Sequence, residues 1–528
     1  MDKKPKKSYN VDINIIYDIK FMKNSTLREQ KKIGSFIAEL REQKGFTQKA
    51  FAHALKTSQS AVARMERGQQ NFSTEMLAKI SDVLNQEIIT LANRSVNFKI
   101  EGGRKLSGRV VTNASKNAAV ALLCASLLNA GKTVLKNVPK IEEVYRIIEV
   151  LTSVGVAVKW NGCDVEIIPG KRLNISKINA EAAVKTRSVL MLLGPLAHLL
   201  KDFSLPLAGG CKLGARTVRP HLFALEKLGI NIKTRHDHYY VTSAKLKPAE
   251  ITLYESGDTV TENALMAAAK ISGCTTIKLA SSNYMVQDLC RFLEKLGVEI
   301  SGIGTSTLKI YGQPEINKTV EYYLSEDPIE SMLFLSLAAT TNSSITIERC
   351  PIDFLELELL KLEKMGFKYK ILRRYKGQNG FVNLADIKTL PGQLKALEEK
   401  IHPLPYPGLN IDNLPFFVPI ATQASGTTLI HDWVYENRAI YYMELTKLRA
   451  NIILADPHRV YIEGPSELKG AEVICPPALR PAAIILIGML AAKGTSILRN
   501  VYSITRGYED LVNRLKRLGA KIELLQGL

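Results

Sequence analysis

The chain has 528 residues, 46% hydrophobic and 23% charged, with a formal net charge of +20. That length exceeds what one domain usually holds, and the composition is that of a globular protein able to bury a sizeable core, which excludes a disordered or fibrous chain. The positive balance fits DNA or an anionic substrate without choosing between them, and the apolar runs at Val189–Leu200 and Ala482–Ala492 are shorter than the roughly 20 residues a membrane span needs.

Residues 1–28 are lysine-rich, lack sustained periodicity and read as a flexible basic arm. No apolar signal core follows Met1-Asp-Lys-Lys-Pro-Lys-Lys7. Residues 29–92 turn helical. Ile33, Phe36, Ile37 and Leu40 recur at helical spacing, and Gly45 ends that helix. Thr47 caps a short second helix, Lys56-Thr57 forms a turn, and Ser58 caps a third helix stopped by Gly68. Phe72 to Leu84 predicts a fourth.

Beyond Ser95 strands and helices alternate, with an internal repeat. A helix end followed by an alternating strand recurs six times, closing at Gly155, Gly229, Gly297, Gly366, Arg449 and Gly519. Glycine there supplies a left-handed helix cap. A second element, helix, turn and strand, recurs near Asn129, Ser272, Thr341, Ala424 and Lys493, with a degenerate copy at Leu200. A period of roughly 70 residues exceeds solenoid periods, so each unit is expected to be a small βα layer of its own.

One loop stands out chemically: Leu207-Ala-Gly-Gly-Cys-Lys-Leu-Gly-Ala-Arg216. Cations beside Cys211 would stabilise its thiolate. Arg216 offers a planar donor fork for phosphate or carboxylate, and the glycines admit a loop over a small ligand. Seven cysteines without a CxxC pair suggest neither a disulfide framework nor a zinc site, which fits a reducing, cytoplasmic setting. His236-Asp-His238 reads as a solvated turn rather than a metal site, since further ligands are not apparent.

The segment Arg41-Glu-Gln-Lys-Gly-Phe-Thr-Gln-Lys-Ala-Phe-Ala, followed by Ser58-Gln-Ser-Ala-Val-Ala-Arg-Met-Glu-Arg-Gly, resembles the lambda repressor–Cro type of helix-turn-helix domain. The resemblance implies DNA as a partner, with Gln59, Ser60 and Arg64 facing bases in the major groove and Gln48 touching the backbone. A helical module for protein contacts is the alternative.

From about Val96 to the C-terminus, the six βα units, the Lys116-Asn117 pair and the Gly-Gly-Cys loop together resemble the enolpyruvyl transferases, most nearly those acting on UDP-N-acetylglucosamine. The resemblance implies an α/β fold: a two-lobed inside-out α/β barrel of six βα pseudo-repeats, here preceded by a small all-α domain. Residues 97–115 and 326–528 would form one lobe and residues 116–325 the other. It implies transfer of the enolpyruvyl group of phosphoenolpyruvate to the sugar 3-hydroxyl with release of phosphate, the first committed step of peptidoglycan synthesis. Phosphoenolpyruvate is then a co-substrate and no cofactor or metal is expected.

By the same resemblance, Lys116 binds phosphate and Asn117 the nucleotide sugar, and Arg187 binds the UDP-sugar. Cys211 is the general acid, Arg216 binds phosphoenolpyruvate, and Thr217, Val218, Arg219 and Pro220 hold uracil. Pro407-Gly-Leu-Asn-Ile-Asp412 matches Pro-Gly-Phe-Pro-Thr-Asp, making Asp412 the base near the 3-hydroxyl; Val434 is another substrate contact, and Arg480 and Arg506 converge on phosphoenolpyruvate. Two anionic groups demand several cations, and protonating a vinyl CH₂ while a hydroxyl loses its proton demands an acid and a base on separate elements. The chain departs from the family at Ala478, where an aspartate is usual, at Thr505, in the uracil segment at Arg219 and Pro220, and at Gly257-Asp-Thr-Val-Thr261. A catalytically weakened barrel that senses a nucleotide sugar and controls DNA binding is therefore the alternative. The fold also admits 5-enolpyruvylshikimate-3-phosphate synthase, against which Cys211 argues.

Overall fold

The computed structural model describes residues 46–69, 96–170, 172–209, 217–235, 237–243 and 245–526, with Gly34, Ser35, Ile37, Ala38, Arg41, Glu42, Met76, Lys79, Ile80 and Val83. The basic arm, most of the first and fourth helices expected near the N-terminus, Cys211, Arg216 and His236 lie outside the described residues. The chain divides after Arg94 into two compact units.

In the first unit, α1 (Gln48–Ala54) and α2 (Gln59–Glu66) start where the caps predict. Thr47 Oγ1 accepts the Ala50 N–H and Ser58 Oγ the Ala61 N–H, both at 3.2 Å. Gly68 ends the second helix at φ +64°. Phe51, Ala52, Leu55, Val62 and Met65 face inward with Ile37 and Ile80 to make a small core. A polar clasp ties the helices. Arg41 donates to Glu66 Oε1 at 2.5 Å and to the Phe46 carbonyl at 2.7 Å, and Gln48 Nε2 donates to Glu66 Oε2 at 2.7 Å.

The second unit is built around helices that are buried on all sides. Its main helices are α3 (Lys116–Ala125), α4 (Glu142–Ser153), α5 (Arg219–Lys227), α6 (Asp258–Ala268), α7 (Tyr284–Leu296), α8 (Pro328–Thr340), α9 (Glu356–Lys364) and α10 (Leu479–Ala491). Every residue of α8 is buried, as is every residue of α10 from Arg480 to Leu490 and of α3 from Ala118 to Ala125. Helices without a polar face belong inside, so the sheets take the outside. Their strands alternate accordingly: Thr307, Lys309 and Tyr311 are exposed while Leu308 and Ile310 are buried.

Among the described residues there are six sheets, five of four strands and one of three. The strands of three sheets fall within 133–323, and those of the other three within 96–111 and 344–526. The first strand, Val96–Gly102, runs antiparallel between Gly494–Arg499 and Lys521–Gln526, with Phe98 opposite both Leu498 and Leu524. The chain passes between the two groups of sheets at two adjacent places. There Ala114 bridges Glu326, the Ser115 N–H donates to the Ser325 carbonyl at 2.8 Å, and the Asp327 N–H donates to the Asn113 carbonyl at 2.9 Å.

Of the recurring helix-end positions, five are glycines at φ between +86° and +104°. The sixth, Arg449, takes the same left-handed conformation at φ +70°, which costs a non-glycine residue about 1 kcal/mol or more. No helix among the described residues is long and apolar enough to cross a membrane.

Candidate active site

A cleft of about 290 Å³ gathers residues that are hundreds of positions apart, among them Lys116, Asn117, Arg187, Asp412, Arg480 and Arg506. Lys116 is the first residue of α3, whose cap Ser115 accepts the Ala118 N–H. Its Nζ donates to Glu143 Oε2 at 2.5 Å. Glu143 also accepts from Ser188 Oγ at 2.8 Å. Burial opposes the charge on Glu143, but Lys116, Ser188 and Arg506 outweigh it and bring its pKa down to about 2.

Arg480 stands in the first turn of α10, with Nη1 donating to the Tyr508 hydroxyl at 2.6 Å and Nη2 to Asp412 Oδ2 at 3.3 Å. Burial would raise the pKa of Asp412. The charges of Arg480, Arg438 and Lys116 reverse that and hold it below the usual aspartate value. Arg506 lies over the Tyr502 ring, 6.0 Å from its centroid. Arg187 Nη2 donates to the Thr217 carbonyl at 3.0 Å, tying the cleft to the start of α5.

Three expectations are refined by the geometry. Thr217 to Pro220 are not among the residues that line the cleft; Arg219 and Pro220 open α5, and His221 and Thr259 of the facing helix line the wall instead. Val434 is 42% exposed and does not line it, whereas Arg438, four residues on, does and is 1% exposed. Gln48 spends its amide on Glu66 within the first unit, while Gln59, Ser60 and Arg64 are exposed together on α2. The Gly-Gly loop has a packing reason at its entry: a Cβ on Gly209 would stand 1.7 Å from the Val184 carbonyl oxygen.

Several lining residues were given no role by the sequence. Arg438 donates to both Asp432 oxygens, at 2.5 and 2.9 Å, and to the Ile411 carbonyl at 2.9 Å, and stacks 4.5 Å over Tyr435. Asp432 is fully buried beneath it. Asp258 opens α6 and accepts from Ser281 Oγ at 2.6 Å and Asn283 Nδ2 at 3.2 Å; burial first, and Asp412 in addition, raise its pKa. Glu262, one turn along α6, is buried in the same wall and its pKa is pushed well up by burial. The cleft thus has a cationic side around Asp412 and an acidic side on α6. The signals were available in principle: Glu142-Glu143 opens a helix, and Asp432 precedes Arg438 in an aromatic-rich stretch.

Ala478 is the cap residue of α10 and provides no side-chain acceptor. A capping carboxylate would bond the N–H groups of the second and third helical residues. Here the third is Pro481, which has no N–H, so one of the two donors such a cap would serve is missing as well.

The profile of EPSP synthase (3-phosphoshikimate 1-carboxyvinyltransferase) matches residues 100–515. The chain belongs to the EPSP synthase family. UDP-N-acetylglucosamine 1-carboxyvinyltransferase of Bradyrhizobium diazoefficiens is 33% identical over 428 residues, 81% of this chain and 98% of that protein. The enzyme of the same name from Treponema denticola is 35% identical over 428 residues, 81% and 99% of the two chains. Among solved structures, the enolpyruvyl transferase NikO from Streptomyces tendae superposes with a TM-score of 0.72 at 24% identity, over 82% of this chain and all of that one. EPSP synthase from Acinetobacter baumannii gives 0.66 at 18% identity over 82% and 100%. These structures share the two-lobed inside-out barrel fold. A helix-turn-helix profile matches residues 37–91, so a DNA-binding type of module is fused to the transferase domain.

Proposed function

We propose that the protein transfers the enolpyruvyl group of phosphoenolpyruvate to the 3-hydroxyl of UDP-N-acetylglucosamine, releasing phosphate, and that its N-terminal unit binds DNA. The supporting observation is the convergence of Lys116, Arg480 and Arg506 around Asp412 in one cleft, in a chain about one-third identical to UDP-N-acetylglucosamine 1-carboxyvinyltransferases over almost their whole length. In this reading residues 97–115 and 326–528 form one lobe, residues 116–325 the other, and residues 29–92 the DNA-binding domain.

Lys116, Arg480 and Arg506, with Arg216 from the loop, take the phosphate and carboxylate of phosphoenolpyruvate. Asn117 and Arg187, with Thr217 to Pro220, hold the nucleotide sugar. Asp412 accepts the proton of the 3-hydroxyl as its oxygen bonds to C2, while Cys211 delivers a proton to C3. Loss of a C3 proton then expels phosphate and leaves the enol ether. Bound phosphoenolpyruvate engages the same cations that depress Asp412, so its arrival makes Asp412 a stronger base at the moment a base is needed.

The test is phosphate release from phosphoenolpyruvate on adding purified protein and UDP-N-acetylglucosamine, with Cys211→Ser and Asp412→Asn compared. Release that depends on both residues is expected; no release, and no thiol adduct with an epoxide phosphonate, refutes the activity. The uncapped helix at Ala478 and the fused module favour a second reading, a nucleotide-sugar sensor acting on DNA. That reading requires DNA affinity to shift with UDP-N-acetylglucosamine, since coupled sites respond to each other. Affinity unchanged at saturating ligand counts against it.

A further inference from the structure

The loop that carries Asp412 is held by a carboxylate that does not itself line the cleft. Glu358 lies on α9, is 2% exposed, and sits next to the inward-facing Leu359 of the same helix. A core position of this kind calls for an apolar residue, and an ionised carboxylate there is costly unless it is hydrogen-bonded. Its Oε1 accepts from Asn413 Nδ2 at 2.7 Å and from the Asn410 N–H at 3.3 Å. Both asparagines are themselves buried.

Asn410 passes the constraint on. Its Oδ1 accepts the Asp412 N–H at 2.9 Å, and its carbonyl accepts the N–H groups of Asn413 at 2.9 Å and Leu414 at 3.1 Å. The transferase motif that this loop resembles has proline where Asn410 stands. A proline stiffens a loop through its fixed φ and has no N–H to satisfy. Asparagine brings back a buried N–H and loses the ring, and Glu358 answers the first change by accepting that N–H and the second by gripping Asn413.

We propose that Glu358 is a positioning residue for Asp412: through Asn410 and Asn413 it locks the 407–414 loop in the one arrangement that aims the Asp412 carboxylate at Arg480 and the cleft. This rests on the reading of Asp412 as the base. Glu358 takes no proton from substrate; it acts through the loop.

The experiment uses the full chain with Glu358→Leu, Glu358→Gln, Asn413→Ala and Asp412→Asn, measuring kcat and KM for phosphate release from phosphoenolpyruvate and UDP-N-acetylglucosamine, and hydrogen exchange at the Asp412, Asn413 and Leu414 amides. Glu358→Leu is expected to lower kcat on the order of 10- to 100-fold, the scale of a sub-ångström to 1 Å misplacement. KM for phosphoenolpyruvate should change little, because the cations stay in place. Glu358→Gln keeps an acceptor for both asparagines and should restore most of kcat. Exchange at the three amides should rise on the order of tenfold in Glu358→Leu and not in Glu358→Gln. Equal losses for Leu and Gln, or a wild-type kcat in Glu358→Leu, overturn the inference. If Glu358→Leu does not fold, Asn413→Ala carries the same expectations. Full turnover in Asp412→Asn sinks the reading of Asp412 as base instead. In that event, or without turnover in any form, the exchange decides: unchanged amides in Glu358→Leu overturn the positioning role.

Discussion

The buried pair Asp432–Arg438 gives the sharpest stability prediction. The Arg438 guanidinium is 1% exposed and Asp432 fully buried. Asp432 accepts two arginine N–H groups and the Tyr442 hydroxyl at 2.5 Å. Asp432→Asn leaves the shape intact and strands a buried positive charge. Removing one partner of such a pair costs about 3–5 kcal/mol. The second unit spans Ser95–Leu528, about 430 residues, and at roughly 2.1 cal/mol/K per residue its unfolding entropy is about 0.9 kcal/mol/K. A loss of about 4 kcal/mol therefore lowers Tm by about 4 °C. Differential scanning calorimetry of the full chain reads the shift. The double variant Asp432→Leu/Arg438→Met should lose less than either single change, because it removes both charges together. A Tm drop below about 1 °C in Asp432→Asn, or strictly additive singles, would refute the reasoning. Turnover should fall as well, since Arg438 also holds the Ile411 carbonyl beside Asp412.

Arg480→Met removes the largest of the charges that depress Asp412. The acid limb of kcat/KM for phosphate release should move up as the rate falls; a limb that stays in place rules the coupling out. Asp288 and Asp327 are raised by burial from 3.8 to about 6. The folded chain holds those protons more tightly than the unfolded one, so their contribution is present below the unfolded pKa and is lost as pH rises through about 6. Asp288→Asn lacks one such contribution, so its urea-unfolding free energy relative to wild type should rise between about pH 4 and 6.5; a fall would contradict the assignment. Glu143 works the other way: its contribution is present above 4.5 and is lost as pH falls through about 2. Ala478→Asp can cap only the Arg480 N–H, so a gain of about 1 kcal/mol at most is expected in urea unfolding. A large rise in kcat would mean instead that the carboxylate acts on substrate.

The fold was legible because its signals are local. Cap residues Thr47 and Ser58 start their helices, and glycines at the helix ends recur with the repeat, since each needs only the few residues around it. Lys116, Asp412 and Arg480 were legible for the same reason, each lying in a short motif on one element. Glu143 and Glu358 were not. A glutamate in a sequence defaults to a solvated face, and only the tertiary structure puts Glu143 against Lys116, 27 residues away, and Glu358 against Asn413, 55 residues away. Arg438 was hidden by the same default, since only the fold shows that its partner Asp432 takes it into the core.

The pairing of Val96–Gly102 with Lys521–Gln526 orders events during synthesis. The sheets whose strands lie within 133–323 have all their strands translated well before the chain ends. The sheet begun by the strand at 96–102 has to wait for the last strand to leave the ribosome, some 420 residues later. That strand, which follows the helix-turn-helix region directly in sequence, has unpaired backbone on both edges until residues 494–499 are made, and on one edge until 521–526 follow. A truncated chain that stops short of residue 521 would therefore carry an unclosed sheet, with Val96–Gly102 lacking its Lys521–Gln526 partner.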